Sequence, residues 1–499
     1  MRNGNGGGVA VESRTARTAI RLEPVLELSL GSQVGQLRAA PVRLGQGGPR
    51  AFLAVYGADF DVDPYVEMFF YPTDTLKLVV FTAEGEVLWR RDLGRGVVPG
   101  IWFCPVLPFD LDGDDVDELW FVNNLNTQHP LGLSGYRLER LDARTGETTG
   151  QWPWPNLGGQ QSLSHQFRNF ITGGHVRGEP VLVTAQGTYH GMFLQAWRPS
   201  MAPRWEVRIA ADAPGARGSH MCAIADLDGD GAQELLWGER CIELDTGRER
   251  FCADREAYRG HSDIVQPFLD RSTGRWYLYT CRESDASVSP RVVTFDATGE
   301  RIWGDVDQGH MDIGWVARLG YDRASGGGEL REDGARSQAG GLDLPAEGGE
   351  YVAMAIRIGQ KFCGPDGRYH AATEEFAWDA LTGQPLRLPF SAYRTIPVDL
   401  NGDGFHEIVR GQASGDGEVL DRFGQRLGSV GGPVAMAAKL LDLPGEQLLS
   451  YHEDGTVRLW ADRNAQDTER ALARYAHPLY TVNQRLTAVG YNLINLAGL

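Results

Sequence analysis

The chain is expected to be all-β: one β-propeller of seven or eight four-stranded blades. Three observations predict it. Short alternating apolar runs separated by turns fill the 499 residues, which include 64 glycines and 13 tryptophans, and such runs favour strands over helices. A unit of turn, strand, turn and second strand recurs about every 58 residues, a blade-sized period. An acidic loop between two strand-like runs returns three times. It is Asp110-Leu111-Asp112-Gly113-Asp114 with Glu118, Asp226-Leu227-Asp228-Gly229-Asp230 with Glu234, and Asp399-Leu400-Asn401-Gly402-Asp403 with Glu407.

Taken in order, residues 1–22 lack an apolar pattern and are expected to be flexible, with the propeller covering 23–499. Inner strands are expected to start near Gln36, Gly100, His165, Gly218, Gly260, Gly309, Arg394 and Gly431. Several units carry a later strand closed by an Asp/Thr-Gly turn, as at Asp142 to Gly146, Asp296 to Gly299 and Asp379 to Gly383. Residues 321–350 are rich in glycine and charge and read as an inserted loop. Ala465 to Ala476 could form one or two helical turns. Trp197, Trp205 and Trp303 lie in strand-like runs and read as core.

In each acidic loop, oxygens at alternate positions of a glycine-bent turn suit calcium, which takes six to eight oxygens. The twelve ligands are Asp110, Asp112, Asp114, Glu118, Asp226, Asp228, Asp230, Glu234, Asp399, Asn401, Asp403 and Glu407. Strand-like flanks set these loops apart from an EF-hand and give the calcium a structural role. An Asp-Gly hairpin without metal is the competing reading.

The formal net charge of −18 argues against a nucleic-acid partner. No apolar stretch reaches the ~20 residues of a membrane span. The six cysteines are too few for a disulfide scaffold, and a monomer is expected. No signal core precedes the first strand, so location is open between an internal protein and one whose leader has been removed.

Inner-strand starts and second-strand ends meet on one rim of a propeller. Five of the eleven histidines fall there: His165, His190, His220, His261 and His310. His220, His261, Cys281 and His310 are a candidate zinc set. Cys222, Cys241 and Cys252 are alternative ligands that more often pack as small apolar residues. His165, His190, Tyr258 and Arg282 offer two imidazoles, a phenol and a guanidinium, enough for proton abstraction beside a carboxylate.

Several segments resemble β-propeller polysaccharide lyases of the rhamnogalacturonan and ulvan lyase type. They are Val79 to Gly94, Gly187-Thr188-Tyr189 with Trp197 and Arg204-Trp205, Gly218-Ser219-His220 with Asp226 to Gly231, Gly260-His261-Ser262-Asp263, and His477 to Tyr480 with Arg485-Leu486 and Tyr491-Asn492. The resemblance runs from about residue 75 to the C-terminus. It implies a calcium-bearing propeller that cleaves a rhamnose- and uronate-containing polysaccharide or oligosaccharide by β-elimination. The His165 and His190 pair is similar to the ulvan-type arrangement, which carries a separate structural metal. On that basis Arg282 would clamp the substrate carboxylate, Tyr258 or His190 would be the base, and His165 would serve as acid or help neutralise the carboxylate. Tyr189, Arg168, Asn169 and His129 would touch sugar. A non-catalytic calcium propeller for glycan or protein binding is the alternative. A glycoside hydrolase is disfavoured because the acids gather in the loops rather than as a pair in the mouth.

Overall fold

The computed structural model describes residues 19–65, 70–155, 162–285, 287–320, 350–363, 369–488 and 496–499. Eight four-stranded antiparallel sheets form a ring. Seven are built from consecutive strands, within 36–92, 106–153, 169–209, 224–252, 262–305, 310–386 and 396–429. The eighth takes three strands from 434–462, and its fourth is Leu22–Ser29 from the other end of the chain. Leu22–Ser29 pairs antiparallel with Thr456–Asp462, so the two ends of the propeller close each other. The blade count is therefore eight. The expected 321–350 insertion and most of the expected flexible segment lie outside the described residues.

Inner-strand starts sit opposite second-strand ends, as in the pairs Gln36 with Gly57, Asn169 with Gln186, and Ser262 with Arg282. These positions define the first rim. The three acidic loops leave the far ends of inner strands and so lie on the second rim. There the C-terminal segment packs across the ring. A helix at Glu469–Tyr475, capped by Thr468, leads to a second at Pro478–Asn483 with proline in its first turn. Asn483 bonds both the N–H and the C=O of Ile224, and Arg485 pairs with buried Asp117. Leu496, Ala497 and Leu499 are buried in the core. Among the described residues the C-terminal segment thus lies against the second rim, and the first rim is called the mouth.

The Asp/Thr-Gly turns join one blade to the next. Trp89 packs on Gly146 and donates its indole N–H to the Ala143 carbonyl. Trp205 does the same to Gly247 and Leu244, and Trp303 to Gly383 and Ala380. A Cβ at Gly247 would lie 2.6 Å from the Trp205 ring, and its φ is +73°, so this turn takes glycine for two reasons. Trp197 is also buried, its N–H donated to Thr184. Among the described residues no helix is long and apolar enough to cross a membrane.

Candidate functional site

The fifth and sixth inner strands, Ser262–Asp270 and His310–Arg318, begin with the same device. Each is preceded by, or opens on, a His-x-Asp step: His261 with Asp263, and His310 with Asp312. Alternate residues share a face. In both strands the pairing register slips at the aspartate, between Ser262 and Ile264 and between Met311 and Ile313. A bulge of this kind re-aims one side chain without ending the strand.

The result is a compact donor cluster. His220, His261 and Asp263 offer ligand atoms within 4.8 Å of one another, all three residues buried, and Glu283, His310 and Asp312 form a second such group. Glu283 joins them: it lies 2.6 Å from His261 Nε2 and 3.5 Å from His310 Nδ1. Asp263 lies 3.0 Å from His261 Nε2 and 3.4 Å from His220 Nδ1. Exposure rises outward, from fully buried His261 to His310, half of whose side chain is exposed.

The charges are unevenly held. Burial alone would depress the His261 imidazole, but Glu283 and Asp263 outweigh it and raise it to about 9. Burial and then the charge of Glu283 raise Asp263 to about 8. Burial would lift Glu283 too, yet His261 holds it well below the usual carboxylate range. Asp312 and Glu283 raise His310 to about 10. Burial, with Arg168 nearby, keeps His220 far below its ordinary value and hence neutral. A buried carboxylate driven upward beside converging imidazoles is a donor set that a divalent cation would relieve.

Tyr189 links this cluster to the outer mouth. It follows the turn at Gly187, where φ is +87° and a Cβ would meet the Gly191 carbonyl oxygen at 2.2 Å. Its hydroxyl is 3.0 Å from His220 Nε2, and its ring meets His261 edge-on at 4.0 Å between centroids. Burial pushes the phenol above its usual value, so it carries its proton. Arg168 lies over the rings of Tyr189 and Trp102. It is 2 % exposed and pairs with Asp63 at 2.8 Å. Its Nε and one terminal nitrogen have no hydrogen-bond partner among the described residues. His165, on the short helix Leu163–Gln166, stacks on His190 at 5.2 Å between centroids. Burial, then His190 and Arg168, lower the His165 pKa.

The mouth therefore gathers His165, His190, Tyr189, Arg168, His220, His261 and His310. Five other expected residues stand elsewhere. Arg282 is fully buried, bonded through two nitrogens to Glu239 and through one to Asp254. The reason is strand parity: Arg282 and Glu283 face opposite ways, and it is Glu283 that looks into the mouth. Tyr258 is buried and donates its hydroxyl hydrogen to the His261 carbonyl oxygen at 2.5 Å, bracing the cluster from behind. Cys281 shares the face of Glu283 but lies deeper, its thiol near the Tyr279 hydroxyl and the Ile313 carbonyl oxygen, and burial raises its pKa. Asn169 is buried, donating to the Phe103 carbonyl and accepting from Trp154. His129 lies exposed on a loop with its N–H on Asn126. Cys222 and Cys241 are buried and Cys252 partly so, all as free thiols. Sequence reasoning missed Asp263, Glu283 and Asp312 as donors, although the paired His-x-Asp steps at two strand starts are a signal that could have found them.

The acidic loops share one construction. The first aspartate accepts the N–H groups of the residues three and five positions on, as Asp226 does from Gly229 and Gly231. The closing glutamate accepts the N–H next to that aspartate, as Glu118, Glu234 and Glu407 do from Leu111, Leu227 and Leu400. Asp110, Asp112 and Asp114 offer converging oxygens, as do Asp226, Asp228 and Asp230. Burial raises Glu118 to about 8 and Glu234 to about 7, which suits oxygen ligands of a cation. The third loop differs: Asn401 donates to Glu407, and the Arg474 guanidinium is 3.4 Å from buried Asp399.

No family model matches the chain. Two curated relatives from Bacillus subtilis (strain 168) do. Rhamnogalacturonan exolyase YesX is 27% identical over 289 residues, 50% of this chain and 46% of that protein. Rhamnogalacturonan endolyase YesW is 24% identical over 383 residues, 68% of this chain and 60% of that protein. The chain thus spans about half to three-fifths of the length of the curated relatives it matches. Solved structures of the same two lyases superpose with TM-scores of 0.66 and 0.69, at 18% and 16% identity, each covering 94% of this chain and 80% of the other. A Bacillus licheniformis rhamnogalacturonan lyase superposes with a TM-score of 0.70 at 17% identity, over 95% of this chain and 81% of its own. The resemblance to rhamnogalacturonan lyases is thus present in sequence, and the eight-bladed fold is shared.

Proposed function

We propose that this protein is a polysaccharide lyase that cleaves a rhamnose- and uronate-containing chain by β-elimination at the uronate. The observation that carries this is the convergence, at one mouth, of a two-nitrogen-free Arg168, a proton-bearing Tyr189, the His165 and His190 pair, and a buried imidazole–carboxylate cluster. Elimination needs the C5 proton removed while the charge spreading onto the carboxylate is stabilised.

Arg168 takes the clamp role expected of Arg282: its unbonded nitrogens are donors for the uronate carboxylate. His165, neutral because its pKa is lowered, accepts the C5 proton, with His190 as its stacked partner. The C5–H electrons form the C4–C5 double bond and the C4–O bond breaks. Tyr189 then gives its proton to the departing oxygen, and neutral His220 holds the phenol in place. His220, His261, Asp263 and Glu283 would hold a divalent cation, a mixed nitrogen and oxygen set in place of the His/Cys one. When bound, the cation neutralises carboxylate charge as a Lewis acid. In the acidic loops, calcium is proposed to brace the second rim, far from the chemistry.

The test follows the ultraviolet absorbance of the unsaturated uronate on rhamnogalacturonan and on ulvan, with and without chelator. Absorbance that is lost in Asp263→Asn and in Arg168→Gln, with folding kept, supports the reading. Absorbance that survives both changes removes the mouth as the active site, and no product from either polymer rejects the lyase.

A further inference from the structure

We propose that segments 58–65 and 70–76, between the second and third strands of the first blade, carry an aromatic platform for the neutral sugars that flank the cleaved uronate; this rests on the lyase reading for its substrate. Among the described residues six large apolar side chains are well exposed, and three of them, Phe60 (63%), Tyr65 (45%) and Tyr71 (72%), fall on these two segments. Phe60 also packs on Phe70, ring centroids 4.0 Å apart. Exposed aromatics scattered singly need no explanation, whereas a concentration on one rim does.

Both segments are anchored to the blade. Asp59 accepts the N–H groups of Thr73 and Asp74 and the Thr73 hydroxyl. Asp61 accepts the Ile101 N–H. Val62 is fully buried and donates its N–H to the Pro99 carbonyl. Between these anchors the aromatic rings face outward, so their exposure is built in.

The first segment is also continuous with the mouth. It follows Gly57, whose partner Gln36 opens an inner strand on the first rim. Asp63, two residues before Tyr65, pairs with Arg168, which lies over Tyr189. The occupant is therefore the glycan chain itself as it leaves the cleavage point. Its uronates meet Arg168, and its neutral deoxy-sugars present C–H faces and a methyl group. Flat rings take such faces by dispersion and by their negative π-face.

The experiment compares wild type with Phe60→Ala/Tyr71→Ala, and with Phe60→Tyr as the conservative control, on polymer and on the shortest oligosaccharide cleaved. The double variant is expected to raise KM for polymer about tenfold, with kcat within about twofold, and to leave both constants unchanged on the short substrate. The control should behave as wild type. An unchanged KM on polymer, or an equal rise on both substrates, overturns the platform. Affinity gel electrophoresis in rhamnogalacturonan separates this from failure of the lyase reading. If no product forms, retardation of wild type that the double variant loses still supports the platform. Equal retardation, or none for wild type, overturns it.

Discussion

At the scale of single residues, two arginines separate chemistry from scaffold. Arg168 has unbonded donors at the mouth, so Arg168→Gln should lower kcat/KM by about 10²–10³ while thermal stability holds within a few degrees. Arg282 lies between Glu239 and Asp254 with no exposure. Removing it strands two buried carboxylates, so Arg282→Ala should cost about 3–5 kcal/mol of stability, read by denaturant unfolding. The pair of variants inverts if the clamp is Arg282 after all. His165 sets the pH dependence. Its pKa is lowered by burial and by His190 and Arg168, and it must be neutral to accept a proton. Activity should therefore rise with pH through an acid limb lying below the ordinary 6.5, and at pH 7 the base is already in its active form. His190→Ala removes a like charge and should move that limb upward. A kcat/KM profile that keeps its limb in His165→Ala would reject His165 as the base. Here sequence reading succeeded by position and failed by parity. The five rim histidines were legible because each lies within a few residues of a strand start or end. Arg282 was chosen over Glu283 because nothing local says which face of a strand turns to the mouth, and the bulges at Asp263 and Asp312 change that face where it matters; Cys281 has the parity of Glu283 but sits deeper, against Tyr279 and Ile313.

At the scale of elements, the blade-to-blade joints and the acidic loops carry separate predictions. Trp205 is 9% exposed and lies on Gly247 of the next blade. Trp205→Ala should cost about 3–5 kcal/mol, and Gly247→Val should destabilise as well, since the valine would need a positive φ and would strike the indole. Both are read as a fall in Tm with kcat unchanged at low temperature. The Asp/Thr-Gly turns were visible in the sequence; that each is the seat of an aromatic ring from the preceding blade, tryptophan at Gly146, Gly247 and Gly383 and Phe251 at Gly299, was not, because the two halves of the contact lie about 40–80 residues apart. For the loops, calcium is expected to raise Tm, and Asp226→Asn should cut that rise while leaving kcat alone, since the loop stands on the rim opposite the mouth. The third loop should respond less, because Arg474 already brings a positive charge to Asp399. A Tm indifferent to calcium and chelator would leave these loops as plain Asp-Gly hairpins.

At the scale of the whole molecule, the ring is closed by two devices at the chain's ends, and they act on different faces. The C-terminal helices and Arg485 lie against the second rim, so on the proposed reading substrate would enter from the first. The N-terminal strand Leu22–Ser29 forms the outer edge of the eighth blade, where seven of its residues have cross-strand partners in Thr456–Asp462. Composition and period place this region in the propeller, yet the pairing partner lies more than 400 residues away and no local pattern names it. Removing residues up to Ser29 would expose an edge strand with unpaired N–H and C=O groups. At about 1 kcal/mol net for each hydrogen bond, the loss should be several kcal/mol, together with a tendency to self-associate through that edge. A peptide of residues 22–29 added in trans should bind the open edge by strand addition and restore part of the lost Tm. Because the eighth blade adjoins the first, whose loop meets Arg168 through Asp63, the truncated protein should also lose affinity for polymer before it loses kcat. If Tm and KM are both unmoved by the truncation, closure by this strand contributes nothing to the ring, and the joints between blades must hold it alone.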